Sequence, residues 1–223
     1  MLLGGALVLA LIFGPQIWVR SALRRHAAPR PDLPGTGAEL ARHLIEREGL
    51  RGVTVERTTA MGDHYDGRSK TIRLSPDHYD GRSVAAAAVA AHEFGHALQD
   101  AEAWGPYKAR QAMVKTAYAF QIFGQGAILM GGAGAFAVSP KLALLGLGVA
   151  IIAAIAGALA HLVTLRVEID ASFTRALPIL NQEGYLRPDD AEAARAVLRA
   201  AAGSYVAAAL ASLLRFGRGP MRA

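Results

Sequence analysis

Ala91-His92-Glu93-Phe94-Gly95-His96-Ala97 is the stretch on which the reading of this chain turns. It is an H-E-x-x-H pentad inside an alanine-rich, helix-forming run. Residues four apart on a helix share a face, so His92 and His96 can offer imidazole nitrogens to one metal ion. Glu93 can reach a water held there. Two neutral imidazoles and one later carboxylate make the usual three-ligand catalytic zinc set, with a position left for water. Zinc acidifies such a water, and a neighbouring carboxylate can take its proton. The chemistry implied is metal-assisted hydrolysis, first of all of a peptide bond.

The flanks strengthen this reading. Val84-Ala85-Ala86-Ala87-Ala88-Val89-Ala90 precedes the pentad and Leu98 follows it, so the helix is apolar nearly all round and should be buried. Buried histidines and a buried glutamate need partners, because unpaired polar groups are costly away from water. A metal supplies them. The chain has no cysteine, so any metal site must be built from histidine and carboxylate.

Three stretches carry no Asp, Glu, Lys or Arg: Leu2 to Val19, Ala117 to Val138 and Leu142 to Leu165. Each is near the roughly 20 residues that cross a bilayer. The first lacks a basic n-region and a clear cleavage site, and reads as a retained anchor. Of the 24 Lys and Arg residues, 15 lie between Arg20 and Lys115 and 8 from Arg166 onward. The positive-inside rule then puts both polar segments in the cytoplasm of a plasma-membrane protein and Ser139-Pro140-Lys141 outside. Arg20, Arg24, Arg25 and Arg30 sit where anionic head groups would meet them, so the lipid bilayer is an expected partner. No basic stripe interleaved with aromatics is present, which argues against a nucleic-acid partner.

Along the chain, residues 27–35 read as a linker and Thr36-Gly37-Ala38-Glu39 as a capping box opening a helix that Gly49 stops. Val53 to Thr58 and Thr71 to Ser75 read as short strands, and Ser83 as the cap of the pentad helix. Asp63-His64-Tyr65-Asp66-Gly67-Arg68-Ser69 recurs letter for letter as Asp77-His78-Tyr79-Asp80-Gly81-Arg82-Ser83 and reads as two similar turns. Past Leu165 a helix is expected until Pro178, and another from Pro188.

A third ligand must lie on the same side of the membrane as the histidines. Glu168, where the third apolar stretch ends, is the choice, and Asp170 its rival. On a helix the two sit about 200° apart, so only one can face the metal. Asp170 is then a candidate partner for an imidazole N–H, as is Asp100, four residues after His96. His64, Tyr65 and His78 are candidate donors to a developing oxyanion. His161 reads as an interfacial histidine.

Gly62 to Asp66, Thr71 to Ser75, Val89 to Gln99, Glu168 to Ser172 and Tyr205 to Leu210 together resemble the bacterial YugP-like neutral zinc metallopeptidases, over nearly the whole chain. The resemblance implies one Zn2+ held by His92, His96 and Glu168, with Glu93 as base, in a gluzincin-like endopeptidase acting on protein or peptide. The expected fold is a mainly α membrane protein, in which a zincin-like domain with a small β element is attached to about three transmembrane helices. Its expected parts are an anchor at 1–19, a catalytic part at 20–116, a transmembrane hairpin at 117–165 and a C-terminal part at 166–223 that supplies the third ligand. Membrane protein partners or a homo-oligomer fit this picture. A zinc-binding scaffold without catalysis and a hydrolase of lipid amides or esters are the rival readings. A retained Glu93 argues against the scaffold.

Overall fold

A computed structural model describes residues 2–59, 62–113, 141, 163–182 and 184–214. The elements run α1 (Leu2–Arg25), α2 (Gly37–Arg47), β1 (Thr54–Arg57), β2 (His64–Asp66), β3 (Thr71–Leu74), α3 (Pro76–Tyr79) and α4 (Val84–Ala101). They continue with α5 (105–113) and α6 (163–169). A π-helical turn, Asp170–Ala176, then leads into α7 (Leu177–Gln182), a 3-10 turn at Pro188–Asp190 and α8 (Ala191–Leu214).

Both bonds of the expected capping box form: Thr36 N donates to Glu39 Oε2 at 2.7 Å and Glu39 N to Thr36 Oγ1 at 3.2 Å. Gly49 follows α2 at φ +63°, the left-handed conformation that glycine adopts without a Cβ penalty. Ala38, Leu40, Ala41 and Leu44 of α2 are buried and face α4. Ser83 caps α4 by accepting from Ala86 N at 3.1 Å.

The sheet has the order β1-β3-β2, with β1 parallel and β2 antiparallel to the central β3. Thr54 pairs with Thr71 and Arg57 with Leu74 on one side, and His64 pairs with Arg73 and Asp66 with Thr71 on the other. Ile72 and Leu74 point into the core beneath α4. α4 is the axis of the molecule. Every residue from Val84 to Ala97 is buried, among α2, the sheet, the π turn and α8. Alanine lets all of these approach closely. The larger side chains Leu44, Ile72, Leu74, Leu180 and Leu198 fill the remaining volume, each contributing about 1.5–3 kcal/mol by burial. Arg30 ties the linker to the start of α8 through two bonds to Asp190, at 2.6 and 2.9 Å.

The three-span membrane arrangement is not supported. Among the described residues no helix is long and apolar enough to cross a membrane. α1 is helical where an anchor was expected, but its uncharged part, residues 2–19, would reach only about 27 Å of a hydrocarbon core about 30 Å thick. The other two expected spans lie outside the described residues, apart from 163–165, as does His161.

The rest of the chain differs in smaller ways. Pro178 does not end a helix. It falls just past the π turn, where the wide hydrogen-bonding pattern changes over and a missing N–H costs little, and α7 runs on to Gln182. The twin heptads are not twin turns. The first builds strand β2 and its following turn, and the second builds helix α3 and the approach to α4. Ser75-Pro76 starts the second copy as a helix, since proline suits the first helical position. The first copy is drawn into pairing with β3.

Candidate metal centre

Local sequence sets the two halves of the site. In α4 the i, i+4 spacing stacks His92 and His96 on one face, their ring centroids 4.7 Å apart. The second half comes from the end of α6, which carries Glu168, and from the π turn that follows it and packs against α4. Gly95 admits this approach. A Cβ built there would meet Ala171 O at 2.7 Å and Ala171 Cα at 3.1 Å. A side chain at 95 would hold the two halves apart.

His92, His96 and Glu168 converge, and their ligand atoms all lie within 4.8 Å of one another. Glu168 Oε2 is 3.2 Å from His92 Nε2 and 3.3 Å from His96 Nε2. The three are 4 %, 4 % and 0 % exposed, and Glu93 beside them 7 %. Both oxygens of Glu168 are buried without accepting a hydrogen bond. Such orphaned acceptors are costly unless a cation completes them. Ligands bonded to zinc at about 2.0–2.1 Å in a tetrahedron stand about 3.3 Å apart, the spacing that Glu168 Oε2 keeps from both imidazoles. The donor set and its geometry fit zinc.

Electrostatics follow from burial. Burial raises the Glu93 carboxyl above its ordinary value, although the His92 and His96 imidazoles pull it down. Burial pushes Glu168 upward too, but the two imidazoles outweigh it and hold the group well below the usual carboxylate range. Burial lowers His96, and the Glu168 charge reverses this into a net rise. Arg110 Nη1, on α5, stands 3.4 Å from Glu168 Oε1. No sequence signal marked that residue.

The other candidates lie further out. Asp170 accepts from Gln99 Nε2 at 2.8 Å and from Arg175 Nε at 2.7 Å, so it reaches His96 only through Gln99. Asp100 does not touch His96. It accepts from Tyr65 OH at 2.9 Å and Lys70 Nζ at 2.6 Å. Burial and that bond to Asp100 raise the Tyr65 phenol, which keeps its proton. His64 Nδ1 lies 2.9 Å from Gly62 O. His78 Nδ1 lies 2.7 Å from Asp63 Oδ2, so the two heptads meet through this pair. The partners of the site imidazoles are residues the sequence reading passed over: Gln99 Oε1 is 2.9 Å from His96 Nδ1, and Ser172 Oγ is 2.9 Å from His92 Nδ1.

Residues 1–221 match the family described as "Putative neutral zinc metallopeptidase". The chain belongs to that family. It is 36% identical over 214 residues to "Putative membrane protease YugP" of Bacillus subtilis (strain 168), covering 94% of this chain and 90% of that protein. No solved structure matches. The family implies zinc, in keeping with the His92, His96 and Glu168 cluster.

Proposed function

We propose that this protein is a zinc-dependent endopeptidase that works at a membrane. The observation that carries the peptidase reading is the buried convergence of His92, His96 and Glu168 with Glu93 next on the same helix. The membrane part is supported by the name of the Bacillus relative, "Putative membrane protease YugP".

His92 Nε2, His96 Nε2 and one oxygen of Glu168 are the groups that would hold zinc. When bound, the ion acidifies a water and polarises the substrate carbonyl. The chain's own residues do the rest. Glu93 takes a proton from the attacking water on its carboxylate and delivers it to the leaving amide nitrogen. Its buried setting, which favours the protonated carboxyl, suits the second half of that cycle. The buried walls from α4 and the π turn limit bulk water. An extended peptide would not pair with β3, because β1 and β2 occupy both of its sides. The outer side of β2, the strand packed on α4, is the edge proposed for peptide addition.

The test is purification of the full chain, zinc quantification, and cleavage of an unstructured protein with and without chelator. Glu93→Gln should keep zinc and lose roughly 10²–10⁴-fold in turnover. Full turnover in that variant would remove Glu93 from the mechanism, and chelator-insensitive cleavage would remove the metal.

A further inference from the structure

We propose that Gln99 and Ser172 are positioning residues that decide which nitrogen of each imidazole faces the metal, and that the π turn Asp170–Ala176 is the frame holding both. The inference rests on the metal site proposed above and goes beyond it, from the ligands to what orients them.

Gln99 is fully buried. Its amide nitrogen donates to Val167 O at 2.9 Å and to Asp170 Oδ2 at 2.8 Å. A primary amide has two N–H groups, so both are committed. What remains is Oε1, which can only accept, and it lies 2.9 Å from His96 Nδ1. The proton between them therefore belongs to His96 Nδ1. In the neutral ring that a metal would take, the lone pair of Nε2 is then on the side of Glu168 Oε2.

The orientation of Gln99 is itself enforced. Asp170 is held on its amide by Arg175 Nε at 2.7 Å, and Arg175 forks onto Glu102 with two bonds of 2.8 Å. A flipped amide would set Oε1 against the Asp170 carboxylate and the Val167 carbonyl, three acceptors without a proton. His92 is handled separately. Ser172 Oγ, fully buried, has Leu198 O at 3.4 Å as an acceptor for its own proton, so it accepts from His92 Nδ1 at 2.9 Å.

One short segment thus serves all three ligands. Glu168 is itself a ligand, Val167 and Asp170 hold Gln99 behind His96, and Ser172 stands behind His92. A regular α-helix turns 100° per residue, and a π turn is wider. Ala171 lies on Gly95, the pentad residue whose missing side chain lets the frame come down.

The experiment uses full-length protein with ¹⁵N-labelled histidine. Zinc affinity is read by competition with a chromophoric chelator, and the ring nitrogens by long-range ¹H–¹⁵N correlation of the zinc-loaded protein. In the wild type both rings should bind through Nε2 and show slowly exchanging Nδ1–H protons. Gln99→Met should lower zinc affinity about 10–100-fold and expose only the His96 Nδ1–H to exchange. Ser172→Ala, which removes one oxygen and leaves little room for misfolding, should do the same for His92 alone. A merely structural role would move both rings together. Ligation through Nδ1 of either ring, or unchanged affinity in both variants, overturns the positioning role while leaving the metal site standing. A wild-type chain that takes up no zinc overturns the metal site, and this inference with it.

Discussion

Replacing Gly95 with alanine separates stability from catalysis in a way that few substitutions here can. The added Cβ would sit 2.7 Å from Ala171 O, roughly 0.7 Å inside ordinary van der Waals contact. The obstructing atom is backbone, in a turn clamped by Asp170 and Ser172, so the frame must move as a body. Overpacking of this kind costs about 1–3 kcal/mol. Alanine returns about 1 kcal/mol through better helix propensity than glycine. The net loss of stability is therefore about 0–2 kcal/mol, a few degrees in thermal midpoint for a chain of this size. The site fares worse. A shift approaching 1 Å in Glu168 against His92 and His96 should cost roughly tenfold to a hundredfold in kcat/KM. The assay is a thermal melt of zinc-free protein beside peptide hydrolysis by the zinc-loaded form. Gly95→Ala with wild-type hydrolysis, or with hydrolysis lost only in proportion to unfolding, would refute the argument that Ala171 sets the spacing.

Further expectations concern the ligands, acid and the caps. Glu168→Ala removes one donor of a set whose members contribute about 3 kcal/mol each, so chelator competition should show zinc affinity reduced by about two powers of ten. Asp63 is held below its ordinary 3.8 by His78 and Ser75 despite burial. A depressed carboxyl stabilises the fold above about pH 4, and that contribution is lost as pH falls through the folded value. Asp63→Asn should accordingly flatten the loss of urea midpoint between pH 5 and 3 in zinc-free protein, and an unchanged slope would clear Asp63 of the effect. Ser83→Ala should cost about 1 kcal/mol by leaving the start of α4 uncapped, visible as a thermal midpoint lower by roughly 2–4 °C.

How much of this was written in the sequence depends on the range of the interaction. Caps are local: Thr36 with Glu39 and Ser83 with Ala86 involve residues three apart, and spacing alone points to them. The pentad is local as well, and its two histidines sit as helix geometry requires. The partner of His96 was harder. Residues three and four ahead share its face, and charge favoured Asp100, yet the ring turns to Gln99 because Val167 and Asp170 hold that amide in place. Nothing local signals that. The π turn is equally silent in composition, and it lies where Ala171 meets Gly95 and Ser172 is buried. Strand order was also out of reach, because Thr71 to Leu74 read alone cannot say that both of its sides are taken. Apolar content led too far in another direction. The uncharged run at the N-terminus looked like a span, yet among the described residues no helix is long and apolar enough to cross a membrane.

The repeated heptad has a consequence for anyone who would engineer this protein. One spelling opens as strand β2 (His64–Asp66) in its first copy and as part of helix α3 (Pro76–Tyr79) in its second, so the letters themselves are conformationally neutral and their surroundings decide. Grafting Ser-Pro ahead of the first copy should recast its opening as helix and unpick the outer strand, without altering a single residue of the copy itself.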